Sequence, residues 1–321
     1  MKVSVSIVAY KHEKFIGECL ESVVAQKTSF PFEVIVGEDG SPDKTAEVIR
    51  AIAAKHPGVV KPIFHSPNVG VRSNWQSVLD ACTGEYVAHL DGDDRMLPGK
   101  LQKEADFLDA RPEVAVVFHR VRLFDSVTGA TVGEMPRRGE PVHASVDDIV
   151  RYRNSFSSAS PMFRKSAMPR AIDPGLKMVL DWFMQIAVSQ NGQVGFIDEV
   201  LGEYRQHPGG VMQANLAGWE RLLGDQLYTL QLARGMKVSP AAVDEAEARL
   251  RAHFADQLLL AGRDAEFTEW ILGSSRKMIF SFPHEVRVRL AHAPRLARLL
   301  VRAAGVYYSL RERLRYGVHE R

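Results

Sequence analysis

Apolar runs alternate with helical patterns over the first hundred residues. The runs are continuously apolar or alternate with period two, as strands do, at residues 3–10, 33–37, 60–65 and 86–90. Apolar residues three and four apart predict helices between them, at residues 13–26, from Asp43 onward and at 72–82. This alternation of strand and helix predicts a parallel sheet with helices packed on its faces.

The pattern becomes mixed after Asp94. Helices are predicted at residues 98–110, 146–152 and 178–190, and strands at 114–124, 194–197 and 201–205. A loop rich in Gly, Pro and Arg is predicted at residues 125–139, and Leu216 to Trp270 has the helical period throughout. The expected division is an α/β domain over residues 1–212, a helical extension over 213–275 and a last segment over 276–321.

The composition is that of a soluble globular protein. The 321 residues are 45% apolar and 25% charged with a mean hydropathy of -0.14, which excludes collagen-like, low-complexity, disordered and multi-span membrane proteins. Arginines interrupt the best candidate for a membrane span, at residues 290–310. Cys19 and Cys82 are too few for a disulfide framework, and residues 1–10 lack the features of a signal peptide. We therefore expect a cytoplasmic protein.

The net charge of +2 conceals a division along the chain. Residues 276–321 contain 11 Lys and Arg against 3 Asp and Glu, so the rest of the chain is mildly acidic. Apolar residues recur at helical spacing over 294–316, with Arg295, Arg298 and Arg302 along another side. Such a helix either docks peripherally on an anionic membrane surface, at the inner face of the cell membrane, or packs on the body of the protein. Nucleic acid is not an expected partner, because no stacking aromatic residues are interleaved with the charge.

Polar loops follow each of the first four predicted strands. They comprise residues 9–13, 38–41, 66–70 and 91–94. The carboxyl ends of parallel strands meet at one edge of a sheet, and ligands of such sheets bind there. No GxGxxG follows the first strand and no GxxxxGK[ST] occurs anywhere, which argues against a dinucleotide enzyme or an ATPase.

The last of these loops, residues 91–94, has the sequence Asp-Gly-Asp-Asp and is called the acidic turn below. A cation would relieve the repulsion among its carboxylates, and Mg²⁺ or Mn²⁺ held by carboxylates commonly takes substrate phosphates as further ligands. A solvated acidic turn is the alternative. In the second loop, Asp39 is a candidate hydrogen-bond acceptor for a base or ribose, while Ser41 or Asp43 is equally a candidate helix N-cap.

Taken in order along the chain, these motifs resemble the glycosyltransferases of family 2, which have a GT-A fold. The resemblance covers about residues 3–210 and rests on residues 6–10 with 12–16, residues 38–41 with Asp43 and Thr45, residues 68–70 and residues 90–94. It implies an α/β fold of GT-A type, a Rossmann-like mixed sheet flanked by helices, with a C-terminal α-helical extension. It also implies an inverting, nucleotide-sugar-dependent and metal-dependent transferase, with residues 1–95 binding the donor and 96–212 facing the acceptor.

The resemblance assigns roles to residues on the donor side. Those implied to bind the nucleotide-sugar are Ala9, Tyr10, Glu13, Asp39, Asn68, Asp91, Asp93 and Arg205. Among them, Asp91 and Asp93 would contact the donor sugar or ribose, and Arg205 would face the leaving group. Asp94 is implied to be the ligand of Mn²⁺ or Mg²⁺, with His207 completing the metal or diphosphate site. The neighbouring residues 208–210, Pro-Gly-Gly, are equally compatible with His207 as a solvated loop residue and with His207 on a lid that orders when the donor binds.

Asp181 is the candidate general base. It stands at the start of an apolar helix beside Trp182 and Phe183, which would desolvate its carboxyl group and raise its pKa. It resembles the aspartate of the family's Glu-Asp pair, although Leu180 replaces the glutamate. A helix N-cap or dipole partner is the alternative role for such an aspartate. As a base, Asp181 would deprotonate the acceptor hydroxyl in a direct displacement that inverts the anomeric carbon.

The expected function is transfer of one sugar from a nucleotide-sugar, such as a UDP-sugar, to a glycan or lipid-linked acceptor in surface polysaccharide biosynthesis. The chain lacks the Gln-x-x-Arg-Trp motif and the membrane spans of processive synthases. Two alternatives stay open: a non-catalytic sugar-nucleotide or glycan-binding protein on a degenerate transferase fold, and a metal-dependent nucleotidyltransferase. Residues 125–139 and 155–160 fall where such enzymes contact acceptors, but they do not reveal the acceptor.

Overall fold

A computed structural model describes most of the chain. The described residues are 1–138, 142, 145–153, 156–178, 180–207, 216–275 and 289–303. Residues 208–210 beside His207, the expected domain boundary at residue 212 and most of the basic segment 276–321 lie outside them. Gly139 of the predicted loop and Ser155 of the serine-rich segment also lie outside the described residues.

A mixed sheet forms the centre of the described structure. Its strands are β1 (Val3–Ala9), β2 (Phe32–Glu38), β3 (Val60–Phe64), β4 (Tyr86–Asp91), β5 (Arg95–Met96), β6 (Val114–Asp125), β7 (Thr131–Met135), β8 (Met162–Arg164) and β9 (Gln193–Gln206). Their order is β3-β2-β1-β4-β8-β6-β9-β5, and β7 pairs with β6. The first four strands are parallel, as predicted, whereas β8 is antiparallel to both β4 and β6.

The helices confirm the predicted alternation. They are α1 (Ile16–Val24), α2 (Thr45–Lys55), α3 (Val71–Ala81), α4 (Lys100–Asp109), α5 (Val146–Arg151), α6 (Leu180–Ser189), α7 (Leu216–Ala233), α8 (Pro240–Leu260) and α9 (Asp264–Ser275). The apolar spacing in α1 buries Ile16, Cys19, Leu20 and Val23 on one face. The local signals for helix starts are clear at α5, where Ser145 and Asp148 form a capping box, and at α8, where Ser239 is the N-cap.

Two strand predictions were wrong in the second half. The strands predicted at 194–197 and 201–205 are one strand, β9, which pairs with β6 through register shifts near His119 and Arg120. The polar pair Asp198–Glu199 interrupts the apolar pattern there. These two residues are exposed and lie in a bulge after Ile197, and pairing with β6 resumes at Val200. The predicted loop at 125–139 contains β7, a polar edge strand with one buried position, Gly133.

Two hydrophobic cores cover the two faces of the sheet. On one face, α1, α2 and α4 pack on inward residues of β1 such as Val5 and Ile7. On the other face, α3, α5 and α6 share a core with α7, α8 and α9, in which Phe118 of β6 and Leu258 of α8 belong to the same cluster. The helical extension therefore packs on the same core as β6. Within the described ranges, no helix has the length and apolar content needed to cross a bilayer.

Candidate active site

Backbone hydrogen bonds join the loops at the carboxyl ends of the parallel strands. Asp39 N donates to Ala9 O at 3.0 Å, and Gly92 N donates to Val8 O at 3.1 Å. The His65 N–H donates to Glu38 O at 2.9 Å. The four polar loops therefore lie at one edge of the sheet, as their positions after parallel strands predict.

Asp39 links the second and third of these loops. Its carboxylate Oδ1 accepts from Val69 N at 2.7 Å, and its backbone oxygen accepts from Asn68 Nδ2 at 2.6 Å. Gly40 has φ +65°, and a methyl group there would lie 2.9 Å from Asn68 N. Only glycine allows this backbone conformation and this close approach. Asp39 and Asn68 therefore form one rigid wall of the site, with Asp39 buried.

Glu13 links the first loop to the start of α2. Its carboxylate accepts from Lys44 N at 3.0 Å, while its own N–H donates to Asp43 Oδ2 at 3.3 Å. Hydrogen bonds within this loop, from Thr45 above all, hold the pKa of Asp43 below its ordinary value, although burial opposes them. Tyr10, in contrast, is exposed at the tip of the loop. This edge of the sheet thus presents an exposed aromatic ring, Tyr10, beside a tightly hydrogen-bonded loop.

Asp91 is the first carboxylate of the acidic turn and lies at the end of β4. Its Oδ2 accepts from Ser158 Oγ at 2.9 Å, and its Oδ1 lies 3.4 Å from His89 Nε2. Although burial opposes the shift, His89 and Ser158 lower the pKa of Asp91. The His89 ring packs against Trp75 of α3, with the ring centres 4.3 Å apart and the ring planes tilted by 30°. Asp91 is therefore held ionised and oriented by His89 of β4 and by Ser158 of the serine-rich segment.

Asp93 points toward two histidines. Its Oδ2 lies 3.0 Å from His207 Nε2 and 4.0 Å from His12 Nε2. The Nδ1 atom of His12 is buried and has no hydrogen-bond partner. A carboxylate oxygen and imidazole nitrogens thus converge at the front of the acidic turn.

Asp94 lies beneath the turn and is 1% exposed. Its Oδ1 accepts from Arg205 N at 2.9 Å, but its Oδ2 has no hydrogen-bond partner. Burial and the charges of Asp93 and Asp91 raise the pKa of Asp94 well above its ordinary value. A buried carboxylate oxygen without a partner is costly unless a cation or a proton compensates it.

Arg205 lies behind the acidic turn, with its contacts directed to the protein. Its guanidinium sits 4.7 Å from the ring centres of both Phe15 and Phe124. Its Nε donates to Asp93 O at 2.7 Å and its Nη2 donates to Glu18 Oε2 at 2.8 Å, which lowers the pKa of Glu18. These contacts anchor the acidic turn to β9, and the role toward the leaving group that the family resemblance implies for Arg205 stays a prediction.

Asp181 lies in the first turn of α6 and is partly buried. Burial raises the pKa of Asp181, with a smaller contribution from the charge of Asp91, and the nearby guanidinium of Arg153 opposes the shift. Leu180, at the position where the family has a glutamate, is 1% exposed and belongs to the hydrophobic core. A carboxyl with a raised pKa beside the acidic turn has the properties of a general base.

The donor atoms at the acidic turn fit a hard divalent cation. Asp93 and His207 present an oxygen and a nitrogen 3.0 Å apart, and the partnerless Oδ2 of Asp94 lies in the same turn. In the part of the chain that the structure describes, no three His, Cys, Asp or Glu side chains form a ready-made metal cluster. Mg²⁺ and Mn²⁺ are commonly held by one or two protein carboxylates, with substrate phosphates supplying further ligands.

The sequence model of the family described as Glycosyl transferase family 2 matches residues 4–167. The chain belongs to this family. The match covers β1 to β8, and so includes the acidic turn and the three polar loops before it.

Curated relatives extend the similarity beyond the family match. An uncharacterised protein of Mycobacterium tuberculosis is 35% identical over 210 residues, which cover 65% of this chain and 60% of that protein. The amylovoran biosynthesis glycosyltransferase AmsE of Erwinia amylovora is 27% identical over 239 residues, covering 72% of this chain and 85% of AmsE. The aligned part thus spans about three fifths of the length of the M. tuberculosis relative.

Solved structures share the fold. The structure of S. aureus TarS 1-349 in complex with UDP-GlcNAc aligns with a TM-score of 0.59 at 20% identity, covering 100% of this chain and 93% of that chain. Mannosyltransferase PcManGT from Pyrobaculum calidifontis, in complex with GDP-Man and Mn2+, aligns with a TM-score of 0.57 at 17% identity, covering 95% of this chain and 86% of that chain. The predicted GT-A type fold, a Rossmann-like mixed sheet flanked by helices with a C-terminal helical extension, is confirmed.

Four polar residues of the family 2 site were given no role from the sequence. These are His12, His89, Arg153 and Ser158, which surround Asp93, Asp91 and Asp181. His12 and Ser158 do lie in segments that the sequence singled out, the first polar loop and the serine-rich segment. His89 and Arg153 carry no such signal. His89 lies inside the buried strand β4, and Arg153, just after α5, comes near Asp181 because α5 and α6 pack in one core.

Proposed function

We propose that this chain is an inverting glycosyltransferase that moves a single sugar from a nucleotide-sugar, a UDP-sugar being the expected donor, to a glycan or lipid-linked acceptor. The observation that carries the proposal is the acidic turn, with His207 beside Asp93 and the general-base candidate Asp181 on the acceptor side. Family membership supports transfer chemistry. The similarity to AmsE, named for amylovoran biosynthesis, supports a role in polysaccharide biosynthesis.

The donor is proposed to bind along the loops after β1, β2 and β3. Tyr10, exposed at 41%, would stack on the base, and Asp39 and Asn68 would contact the base or ribose. Ala9 and Glu13 would shape the pocket through the loop they hold together. The complexes of TarS with UDP-GlcNAc and PcManGT with GDP-Man support a nucleotide-sugar donor of this general class.

A divalent cation is proposed at the front of the acidic turn. Asp93 and His207 would hold it, with Asp94 supplying negative charge from beneath and Asp91 orienting the donor sugar or ribose. Asp94 as a direct ligand of the metal, the role that the family resemblance implies, stays a prediction. Its Oδ2, which has no hydrogen-bond partner, is the observation in favour of that role. When bound, such an ion neutralises the departing phosphate oxygens. The Mn2+ in the PcManGT structure supports this choice of metal.

The chain's own residues would then perform the displacement as follows. Asp181 accepts the proton of the acceptor hydroxyl, and the hydroxyl oxygen bonds to the anomeric carbon on the face opposite the diphosphate. The bond from that carbon to the diphosphate oxygen breaks, and the configuration inverts. The raised pKa of Asp181 suits this role because a base is most effective when its pKa is close to the working pH.

The decisive experiment is a panel of nucleotide-sugars with Mn²⁺ or Mg²⁺, scored by release of nucleoside diphosphate. We expect Asp93→Asn and Asp94→Ala to lose metal-dependent binding of the donor. Asp181→Asn should bind the donor as wild type does, yet turn over at least 100-fold more slowly. The matched control is Asp80→Asn, an exposed aspartate of α3, which should change neither quantity.

The outcomes separate the proposal from its rivals. Full transfer activity in Asp181→Asn would remove that residue as the base. Metal-dependent donor binding without turnover of any donor would favour the non-catalytic binding protein, for which the buried Leu180 in place of a glutamate is the best argument. Release of pyrophosphate from a nucleoside triphosphate would favour the nucleotidyltransferase.

The helical residues 294–303 are proposed to dock on an anionic membrane, close to lipid-linked acceptors on the cytoplasmic side. Leu296, Leu299 and Leu300 are 51%, 63% and 46% exposed, and the neighbouring Arg295 and Arg302 are exposed as well. Arg298 instead packs on the body, where it pairs with Asp264 and donates to Leu259 O. Adjacent exposed leucines and arginines are typical of helices that bind anionic lipid surfaces. Residues 304–316 of this predicted helix lie outside the described residues.

Vesicle flotation tests the membrane proposal. The full chain should float with vesicles of phosphatidylglycerol and phosphatidylcholine, and not with phosphatidylcholine alone. Leu296→Ser, Leu299→Ser and Leu300→Ser combined should abolish flotation, while Leu260→Ser, at an exposed leucine of α8, should not. Undiminished flotation of the triple variant would contradict the proposal.

A further inference from the structure

Helix α7 forms hydrogen bonds with residues 173–178, the segment that leads into α6. Helix α6 carries Asp181, the candidate base. Asp225 of α7 is buried, with 6% of its surface exposed. Its Oδ1 accepts from Lys177 N at 2.7 Å and its Oδ2 accepts from Met178 N at 2.8 Å. The first turn of a helix has N–H groups without partners inside the helix, and the backbone just before it commonly needs outside acceptors. A side chain from the extension thus supplies both acceptors immediately before Leu180, where α6 begins.

A second contact holds the beginning of the same segment. Tyr228, one turn further along α7, donates its hydroxyl to Asp173 Oδ1 at 2.9 Å. Asp173 also accepts from Gly175 N at 2.8 Å, and a methyl group at Gly175 would lie 2.3 Å from the Tyr228 ring. The segment is therefore packed against α7 so closely that only glycine fits at residue 175.

A third contact reaches the guanidinium beside the base. The Gln226 amide oxygen, with the amide turned toward Arg153, lies 2.9 Å from both terminal guanidinium nitrogens and 3.1 Å from Nε. Gln226 is buried, and Arg153 acts electrostatically on Asp181. Adjacent residues of α7 thus hold both the backbone before Asp181 and the cation next to it.

We infer that α7 is a working part of the acceptor side of the site and that Asp225 is a positioning residue, which fixes the start of α6 and so the location of Asp181. This inference rests on the proposed role of Asp181 as base and goes beyond it, because it gives the helical extension a catalytic purpose. Groups that react must be held in register, and a shift of about 1 Å in a catalytic group costs up to 100-fold in rate.

Three variants test the inference in the full chain. Asp225→Ala removes both acceptors, and Asp225→Asn keeps one oxygen acceptor for the two N–H groups. Asp244→Ala is the matched control, since Asp244 lies on α8 with 45% of its side chain exposed and bonds to Arg234. With the nucleotide-sugar most active in the panel, we expect kcat of Asp225→Ala to fall 10-fold to 100-fold with KM for the donor within twofold. Asp225→Asn should lie between, and Asp244→Ala should match wild type.

Hydrogen–deuterium exchange supplies a readout that needs neither donor nor acceptor. In Asp225→Ala, amides of residues 173–184 should exchange at least 10-fold faster, while those of β1 and β4 keep their wild-type rates. A loss of stability spread over the whole fold would instead accelerate exchange everywhere and raise KM together with lowering kcat. That pattern would overturn a positioning role, and if Asp225→Ala does not fold, Asp225→Asn carries the same comparison.

The remaining outcomes distinguish this inference from the proposed function. Wild-type turnover in Asp181→Asn would overturn the base assignment and the positioning role with it. An inactive Asp181→Asn together with wild-type kcat in Asp225→Ala would overturn only the positioning role. Unchanged exchange at residues 173–184 in Asp225→Ala would do the same, whether or not a donor is found.

Discussion

At the scale of single residues, Gly92 decides how closely the acidic turn approaches the loop after β1. A methyl group at this position would lie 2.7 Å from His12 Nδ1, 3.0 Å from Val8 O and 3.1 Å from Ile16 Cδ1. Val8 O is a backbone atom and Ile16 is fully buried, so neither can move away easily. The close contact brings His12 to within 4.0 Å of Asp93, so glycine is a requirement of the site itself.

We therefore expect Gly92→Ala to weaken Mn²⁺-dependent binding of UDP or GDP at least 10-fold. The free energy of unfolding should fall by about 1–3 kcal/mol, the usual cost of overpacking. Isothermal titration and urea denaturation measure the two effects. Gly58→Ala is the control, since a methyl group at residue 58 meets nothing within 4 Å. Wild-type affinity in Gly92→Ala would show that the turn tolerates displacement of His12.

Glu33 is a buried charge at the other end of the sheet, and it makes stability depend on pH. It accepts hydrogen bonds from Ser4, Lys61 and Thr83, which lower the pKa of Glu33 from 4.5 to about 2 although burial opposes them. Because the folded-state pKa is depressed, the stabilisation is complete above pH 4.5 and is lost as the pH falls toward 2.

Glu33→Gln should accordingly cost roughly 3 kcal/mol of unfolding free energy at pH 7. The difference between wild type and variant should shrink steadily between pH 5 and pH 2, because the unfolded wild-type chain binds a proton at Glu33 before the folded protein does. Urea denaturation at several pH values measures it. A difference that stays constant down to pH 2 would contradict the assignment.

At the scale of elements, a buried polar cluster joins α4, β6 and the serine-rich turn. Lys100 Nζ lies 3.2 Å from Glu104 Oε1, 3.0 Å from His119 Nε2 and 3.0 Å from Ser160 O, and these side chains are 0% exposed. Burial lowers the pKa of Lys100 and raises that of Glu104 to about 7. Ser158, two residues before Ser160, donates to Asp91. The cluster therefore supports the segment that orients the first carboxylate of the acidic turn.

Removing one member of such a pair leaves the other buried without compensation. Lys100→Met should lower the free energy of unfolding by about 3–5 kcal/mol, whereas Lys100→Met with Glu104→Leu should recover at least half of that loss. Urea denaturation of the two variants at pH 7 makes the comparison. A double variant as unstable as the single one would mean that the hydrogen bonds to His119 and Ser160, rather than the ion pair, hold the cluster.

At the scale of the whole molecule, the helices of the expected extension share one hydrophobic core with the α/β half of the chain. Leu222 and Leu230 of α7 and Leu258 of α8 belong to the same core as Phe118 of β6. Asp147 of α5 accepts hydrogen bonds from Ser239 at the start of α8, at 2.9 Å from its N–H and 2.5 Å from its hydroxyl. Helices α7 and α8 of the extension therefore complete the hydrophobic core that covers this face of the sheet.

A chain that ends at residue 212 should consequently be insoluble or lack cooperative thermal unfolding, because it exposes the core that α7 and α8 cover. A chain that ends at residue 303 retains every described residue and should unfold within a few degrees of the full protein. Circular dichroism of the soluble fractions measures both. If the chain of residues 1–212 unfolds cooperatively at the melting temperature of the full protein, the helical extension is a separate domain.

The sequence alone determined the parallel half of the sheet, the helices and the polar loops that form the site. It could do so because strand and helix periods, Gly-containing loops and clustered carboxylates are local signals that depend on few neighbours. It was less informative after Asp125, where the exposed bulge at 198–199 interrupted the apolar pattern of β9, although pairing with β6 resumes beyond it.

Only the tertiary structure decided which face each site residue presents. Asp93 and Asp94 are adjacent in sequence, yet Asp93 turns toward His207 while Asp94 is buried against the backbone of Arg205. The Arg205 guanidinium lies over two phenylalanine rings, and Asp225 accepts from Met178 N, 47 residues away along the chain. Such placements depend on which helices and strands pack together. Contacts between segments far apart in sequence produce no periodic pattern from which they could be predicted.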